Sequence, residues 1–127
     1  MDTLPRGARS HAAALAVALL VSLAPGSGRA HAFPDHSEPR VGHTVDAAPP
    51  QVRIWFDGEI EPVFSTMRVE NARKEQVDRG DVHVDPADAT LLQVSLPPLP
   101  AGDYMVFWSV VAHDGHRTEG SFPFEIR

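Results

Sequence analysis

Asp114-Gly115-His116 places a carboxylate and an imidazole two residues apart, directly after the most apolar strand-like segment of the chain. Residues two apart in extended backbone project to the same side, so the two side chains could converge on one ion. The same tripeptide also reads as an Asp-Gly turn, with the aspartate capping its own backbone and the histidine facing solvent. A histidine far upstream, His31, bears on the choice. As the first residue of a processed chain, it would offer an α-amine and Nδ1 that close a six-membered chelate ring on one metal. Asp114 and His116 would then complete a set of three nitrogens and one oxygen. Four such donors in a plane suit Cu(II), which prefers tetragonal nitrogen and oxygen surroundings and heads the divalent affinity order. An α-amine, with a pKa of about 7.7–8.0, loses its proton readily near neutral pH.

Whether His31 can be a first residue depends on what precedes it. Arg6 and Arg9 form a basic start, and residues 12–24 (AAALAVALLVSLA) form an apolar run of 13. Pro25, Gly26, Ser27 and Gly28 then break a helix before Ala30. A bilayer crossing needs about 20 apolar residues, so residues 1–30 read as a cleaved secretory signal peptide rather than a membrane span. No arginine pair precedes the run and no cysteine stands at the cleavage point, which predicts export by the general route without a lipid anchor. With no second apolar segment to follow, the expected location is the periplasm. Cleavage after Ala30 puts Gly28 and Ala30 at the small positions and frees His31. Cleavage after Ala32 also fits and would free Phe33. The residues around the site do not separate the two cuts. The first leaves 97 residues with 8 basic and 16 acidic side chains, a formal charge of −8.

A chain of 127 residues is long enough for one domain. With no cysteine it cannot build disulfides, a CxxC redox centre, a Cys-ligated zinc or blue-copper site, or a cysteine nucleophile. The acidic balance argues against nucleic acid, which calls for a basic face. Ser37, Ser65, Ser95, Ser109 and Ser121 stand in no nucleophile-elbow context, and no carboxylate pair singles itself out for glycoside chemistry. The chain is therefore not expected to be an enzyme.

The elements that must carry these groups show a two-residue period. Val52, Ile54 and Phe56 share one face of residues 51–56, with Gln51, Arg53 and Trp55 on the other. Met67 and Val69 in 65–70, Leu92, Val94 and Leu96 in 91–96, and Phe122, Phe124 and Ile126 in 121–126 repeat the pattern. Residues 104–111 (YMVFWSVV) are apolar on both faces, as in a central strand. Shorter strands are expected near 40–45 and 82–84, giving about seven. Turn signals such as Asp57-Gly58, Asp85-Pro86 and Ala101-Gly102 separate them. No segment has a helical period, so one all-β domain follows, an antiparallel sandwich or Greek-key barrel. Core packing accounts for most of Trp55, Phe56, Tyr104, Phe107, Trp108, Phe122 and Phe124, which lie on the strands.

Three blocks resemble the CopC-type periplasmic copper-binding proteins. HAFPDHSEPRVGHTV (31–45) is similar to the family's opening, and PPQVRIWFDGEIEPVFSTMRVENA (49–72) to its first core strand, acidic-Pro turn and F-S-x-x-x-V strand. GDYMVFWSVVAHDGHRTEGSFPFEI (102–126) resembles its most specific signature, ending in D-G-H-x-x-x-G-x-F-x-F. The resemblance implies an immunoglobulin-like, cupredoxin-related Greek-key β-sandwich or barrel binding one Cu(II). It carries the ligands onto His31 (amine and imidazole), Asp114 and His116, and it favours cleavage after Ala30. Some members add a methionine-rich Cu(I) loop. Here only Met67 and Met105 remain after processing, both on strands, so no Cu(I) methionine site is expected. His113 stands where the family commonly has a small or apolar residue, and as the neighbour of Asp114 it should point away. His36, His43 and His83 lack motif support and read as solvated. The implied role is to buffer or carry copper for resistance and homeostasis, exchanging it with a CopD-type inner-membrane protein. Two other readings are a small oxidative copper enzyme using the same N-terminal histidine chelate, for which 97 residues leave little substrate surface, and a metal-free immunoglobulin-like interaction module.

Overall fold

The computed structural model describes residues 31–127, together with Thr3. The expected signal peptide thus lies outside the described residues, apart from Thr3. Eight strands follow in order: β1 (Pro34–Glu38), β2 (Thr44–Val45), β3 (Gln51–Phe56), β4 (Thr66–Asn71), β5 (His83–Asp85), β6 (Asp88–Ser95), β7 (Gly102–Val111) and β8 (Arg117–Ile126). A 3-10 turn, Pro62–Phe64, precedes β4.

The strands form two four-stranded sheets, β1-β3-β6-β5 and β2-β8-β7-β4. Every pairing is antiparallel except β2 with β8. Among the described strands, none pairs with a strand of the other sheet. The fold is therefore a sandwich of eight strands, not a closed barrel and not seven strands. The core lies between the sheets. Val52, Ile54 and Phe56 face it from β3, Leu92 and Val94 from β6, and Met67 and Val69 from β4. These are the residues that the two-residue period assigned inward.

The difference in strand count arises at the front of the chain. The short strand expected near 40–45 is realised only as the two residues of β2. The additional strand, β1, has the sequence PDHSE and buries Ser37 alone. It is held by backbone pairing to β3 and carries no apolar alternation to announce it.

The long β7–β8 hairpin carries two packing features. Tyr104 is buried near the start of β7, stacks on Phe124 at 5.3 Å, and donates its hydroxyl to the Pro100 carbonyl at 2.6 Å. Burial raises its pKa above the ordinary tyrosine value. This bond back to the chain four residues earlier resembles the tyrosine corner of immunoglobulin-like sandwiches. Tyr104→Phe should lower stability by about 1 kcal/mol in urea unfolding, and an unchanged midpoint would show that the bond contributes nothing. Further along, Trp108 faces Gly120 across the hairpin and meets Phe56 edge-on at 5.4 Å. A Cβ on Gly120 would stand 2.7 Å from Trp108 Cζ2, so only glycine fits there without displacement.

Outside β4, residues 75–78 run against the free edge of the strand. Val77 N–H donates to the Val69 carbonyl at 2.8 Å, and Val69 N–H to Asp78 Oδ2 at 2.8 Å.

Candidate metal centre

Residues 112–116 close the β7–β8 hairpin. Gly115 N–H donates to the Ala112 carbonyl and Ala112 N–H to the His116 carbonyl, each at 2.9 Å. Gly115 adopts a φ of 90°, a conformation that side-chain-bearing residues rarely take. The turn folds Asp114 and His116 onto each other. Asp114 Oδ1 accepts the His116 N–H at 3.0 Å, and Oδ2 lies 2.9 Å from His116 Nδ1. The two side chains thus meet across a turn rather than along extended chain. Backbone capping and side-chain convergence, alternatives in the sequence, occur together.

His31 reaches the same place from the other end of the chain. Its ring stands edge-on to that of His116 with centroids 4.8 Å apart. The next two residues hold it there. Ala32 is 1% exposed, within the core, and its carbonyl accepts Thr118 Oγ1 at 2.6 Å. Phe33 exchanges two bonds with Asp57: its N–H donates to Oδ1 and its carbonyl accepts the Asp57 N–H, both at 2.8 Å. These anchors are a small apolar residue, a threonine and an aspartate that meet only in three dimensions, and none of them reads as part of the site in the sequence. Asp57 reads there as a turn signal.

The hydrogen bond from the His116 N–H does most to hold the Asp114 carboxyl below the ordinary aspartate range. Desolvation opposes this, and the His116 side chain and the charges of His116 and His31 add to it. Asp114 therefore stays ionised into mild acid. Among the described residues, no three His, Asp or Glu side chains already form a ready metal-binding group. What is present is the hydrogen-bonded Asp114–His116 pair with the His31 ring beside it. His113 does point elsewhere, placing Nδ1 3.2 Å from Glu61 Oε1. His36 stacks flat on Trp55 at 4.4 Å and bonds Asp35 at 2.8 Å. His83 is exposed on β5, and its ring is engaged with Asp81 and Gln93. Met67 lies in the core on β4 and Met105 half-buried on β7.

The described residues thus form a two-sheet β-sandwich with an Asp-His pair at one hairpin end and the His31 ring beside it. Residues 35–127 match the CopC domain, and the chain belongs to the CopC family. That match includes Asp114 and His116 and begins after His31. Protein YobA of Escherichia coli strain K12 is 34% identical over 121 residues, spanning 94% of this chain and 97% of YobA. The copper transport protein CutJ of Bacillus subtilis strain 168 is 30% identical over 109 residues, 85% of this chain but 20% of CutJ. Among solved structures, CopC from Methylosinus trichosporium OB3b superposes with a TM-score of 0.71 at 28% identity, covering 76% of this chain and 93% of that one. PcoC, a methionine-rich copper resistance protein from Escherichia coli, gives 0.64 at 27% identity, covering 77% and 100%.

Proposed function

We propose that this protein binds one Cu(II) tightly at the end of the β7–β8 hairpin and serves as a periplasmic copper carrier or buffer. The ligands are the α-amine and imidazole of His31, an oxygen of Asp114 and a nitrogen of His116. The observation that carries this reading is the 2.9 Å separation of Asp114 Oδ2 and His116 Nδ1, with the His31 ring alongside. Two donors at right angles on one ion, each bonded at about 2.0–2.1 Å, stand about 2.9 Å apart. An ion that replaces the shared proton therefore keeps this separation, with the two side chains turning to aim at it. Copper is the cargo, and binding it releases protons from the ligands.

The reading requires residues 1–30 to be removed. Burial of Ala32 and its bond from Thr118 support a cut after Ala30, because a cut after Ala32 would delete a core residue together with the anchor of His31. The family, and relatives named for copper transport and copper resistance, support a carrier rather than an oxidative enzyme. A CopD-type inner-membrane protein is the partner with which copper would be exchanged.

Competition dialysis of the processed protein tests the site. One tight Cu(II) equivalent should bind with little Zn(II), since zinc favours tetrahedral donors. Equal zinc occupancy, or two equally tight copper equivalents, would overturn the proposed set. Under anaerobic conditions Cu(I) should bind weakly, as Met67 and Met105 lie on different strands and Met67 is enclosed in the core. A tight Cu(I) complex would reveal a thioether site that this reading lacks.

A further inference from the structure

The geometry points to a second, weaker site for a divalent transition metal, formed by His83, Asp85 and Gln93 on the outer face of the β1-β3-β6-β5 sheet. Leu92 and Val94 of β6 face the core, so strand alternation puts Gln93 on the opposite face. Gln93 is nevertheless only 6% exposed. It lies between two direct cross-strand partners, Arg53 on β3 and His83 on β5. Gln93 Nε2 lies 3.0 Å from His83 Nε2 and donates to Asp85 Oδ2 at 3.3 Å.

The remaining atom of each partner is held by backbone. His83 Nδ1 lies 2.8 Å from the Asp81 carbonyl. A carbonyl only accepts, so Nδ1 carries the proton and Nε2 presents its lone pair to the amide of Gln93. Asp85 Oδ1 accepts the Ala87 N–H at 2.8 Å, leaving Oδ2 directed at that same amide. An imidazole lone pair and a carboxylate oxygen thus converge on one nitrogen. A histidine whose Nδ1–H is fixed by a carbonyl is the arrangement that orients metal-ligating imidazoles. A half-turn of the Gln93 amide replaces its NH2 with Oε1, an oxygen donor, so that Oε1, His83 Nε2 and Asp85 Oδ2 can close on one ion seated between them. One nitrogen and two oxygens, completed by water, select a borderline divalent ion, with Cu(II) ahead of Zn(II) in affinity. No sulfur is present to hold Cu(I). This site is on the other sheet from Asp114 and His116 and does not depend on where the signal peptide is cut.

Titration of Cu(II) into the processed protein that begins at His31, followed by histidine-ring NMR, tests it in both the native sequence and a His116→Ala background. In the native protein the second equivalent should broaden the His83 ring first. In His116→Ala the His83 site should persist, which separates failure of this proposal from failure of the hairpin site. His83→Ala, at an exposed position, should weaken the second equivalent at least about tenfold and leave the first unchanged. Gln93→Glu, exchanging an amide for a carboxylate, should tighten it. A second equivalent unaffected by His83→Ala, or one that broadens His36 or His43 instead of His83, would overturn the proposal.

Discussion

Protein that keeps even one extra residue before His31 should bind Cu(II) at least about a hundredfold more weakly than protein that begins at His31, although every side chain is retained. Outer-shell partners of a ligand are commonly worth 10–100-fold in metal affinity, and here a ligand itself is lost. The added residue turns the primary amine of His31 into an amide, whose proton is not readily released at neutral pH, and the six-membered chelate ring cannot form. The fold should be unaffected, because the anchors begin at Ala32 and Phe33. Electron paramagnetic resonance should count one nitrogen fewer in the extended form. Asp114→Ala and His116→Ala should also weaken binding while leaving the fold intact, since both residues lie in an exposed turn. His36→Ala and His43→Ala should leave the tight site unchanged. Equal affinity and identical spectra for extended and unextended protein would rule out the amine as a ligand. The site would then shrink to an Asp-His pair.

The largest effect on stability should come from Gly120→Val. The first added carbon already meets Trp108 Cζ2 at 2.7 Å, and moving the indole to relieve the clash disturbs its edge-on contact with Phe56. Overpacking of this kind costs about 1–3 kcal/mol, and a domain of this size loses about 4–8 °C in Tm for each of those. Near-UV circular dichroism should change with it, because the indole has to leave its place against β8. Native-like melting and an unaltered aromatic spectrum would show that Trp108 is not held in that contact. Gly120→Ala should fall between the two, with the same sign.

The parts of the fold that bury a stripe of apolar residues were legible in the sequence. β3 runs over the six residues whose alternation predicted it, and the inward sets on β4, β6 and β8 are those read from the period of two. β1 was not legible, because an exposed edge strand held by backbone bonds needs no apolar face. Nor could alternation decide between barrel and sandwich, since it states which way a side chain points and not which strand lies next to it. The candidate site divides in the same way. Asp114 and His116 were visible as neighbours in the chain. The Thr118 and Asp57 contacts that bring the chain at His31 beside them join residues 86 and 24 positions apart, and no local pattern encodes such a meeting. The His83–Gln93 pairing was hidden for the same reason: it depends on the register of two strands.

The segment that lies along β4 has a consequence for association. A strand at the margin of a sheet offers unpaired amide and carbonyl groups to any passing chain and can seed polymers by strand addition. On β4, Val77 takes up the Val69 carbonyl and the Asp78 carboxylate takes up the Val69 amide, so a foreign strand finds these groups already engaged. The other margins are β1, which is five residues long and carries Pro34, Asp35 and Glu38, the three residues of β5, and the two of β2. Short, charged or covered margins of this kind oppose edge-to-edge polymerisation and leave the hairpin end, where His31 meets Asp114 and His116, free of such self-association.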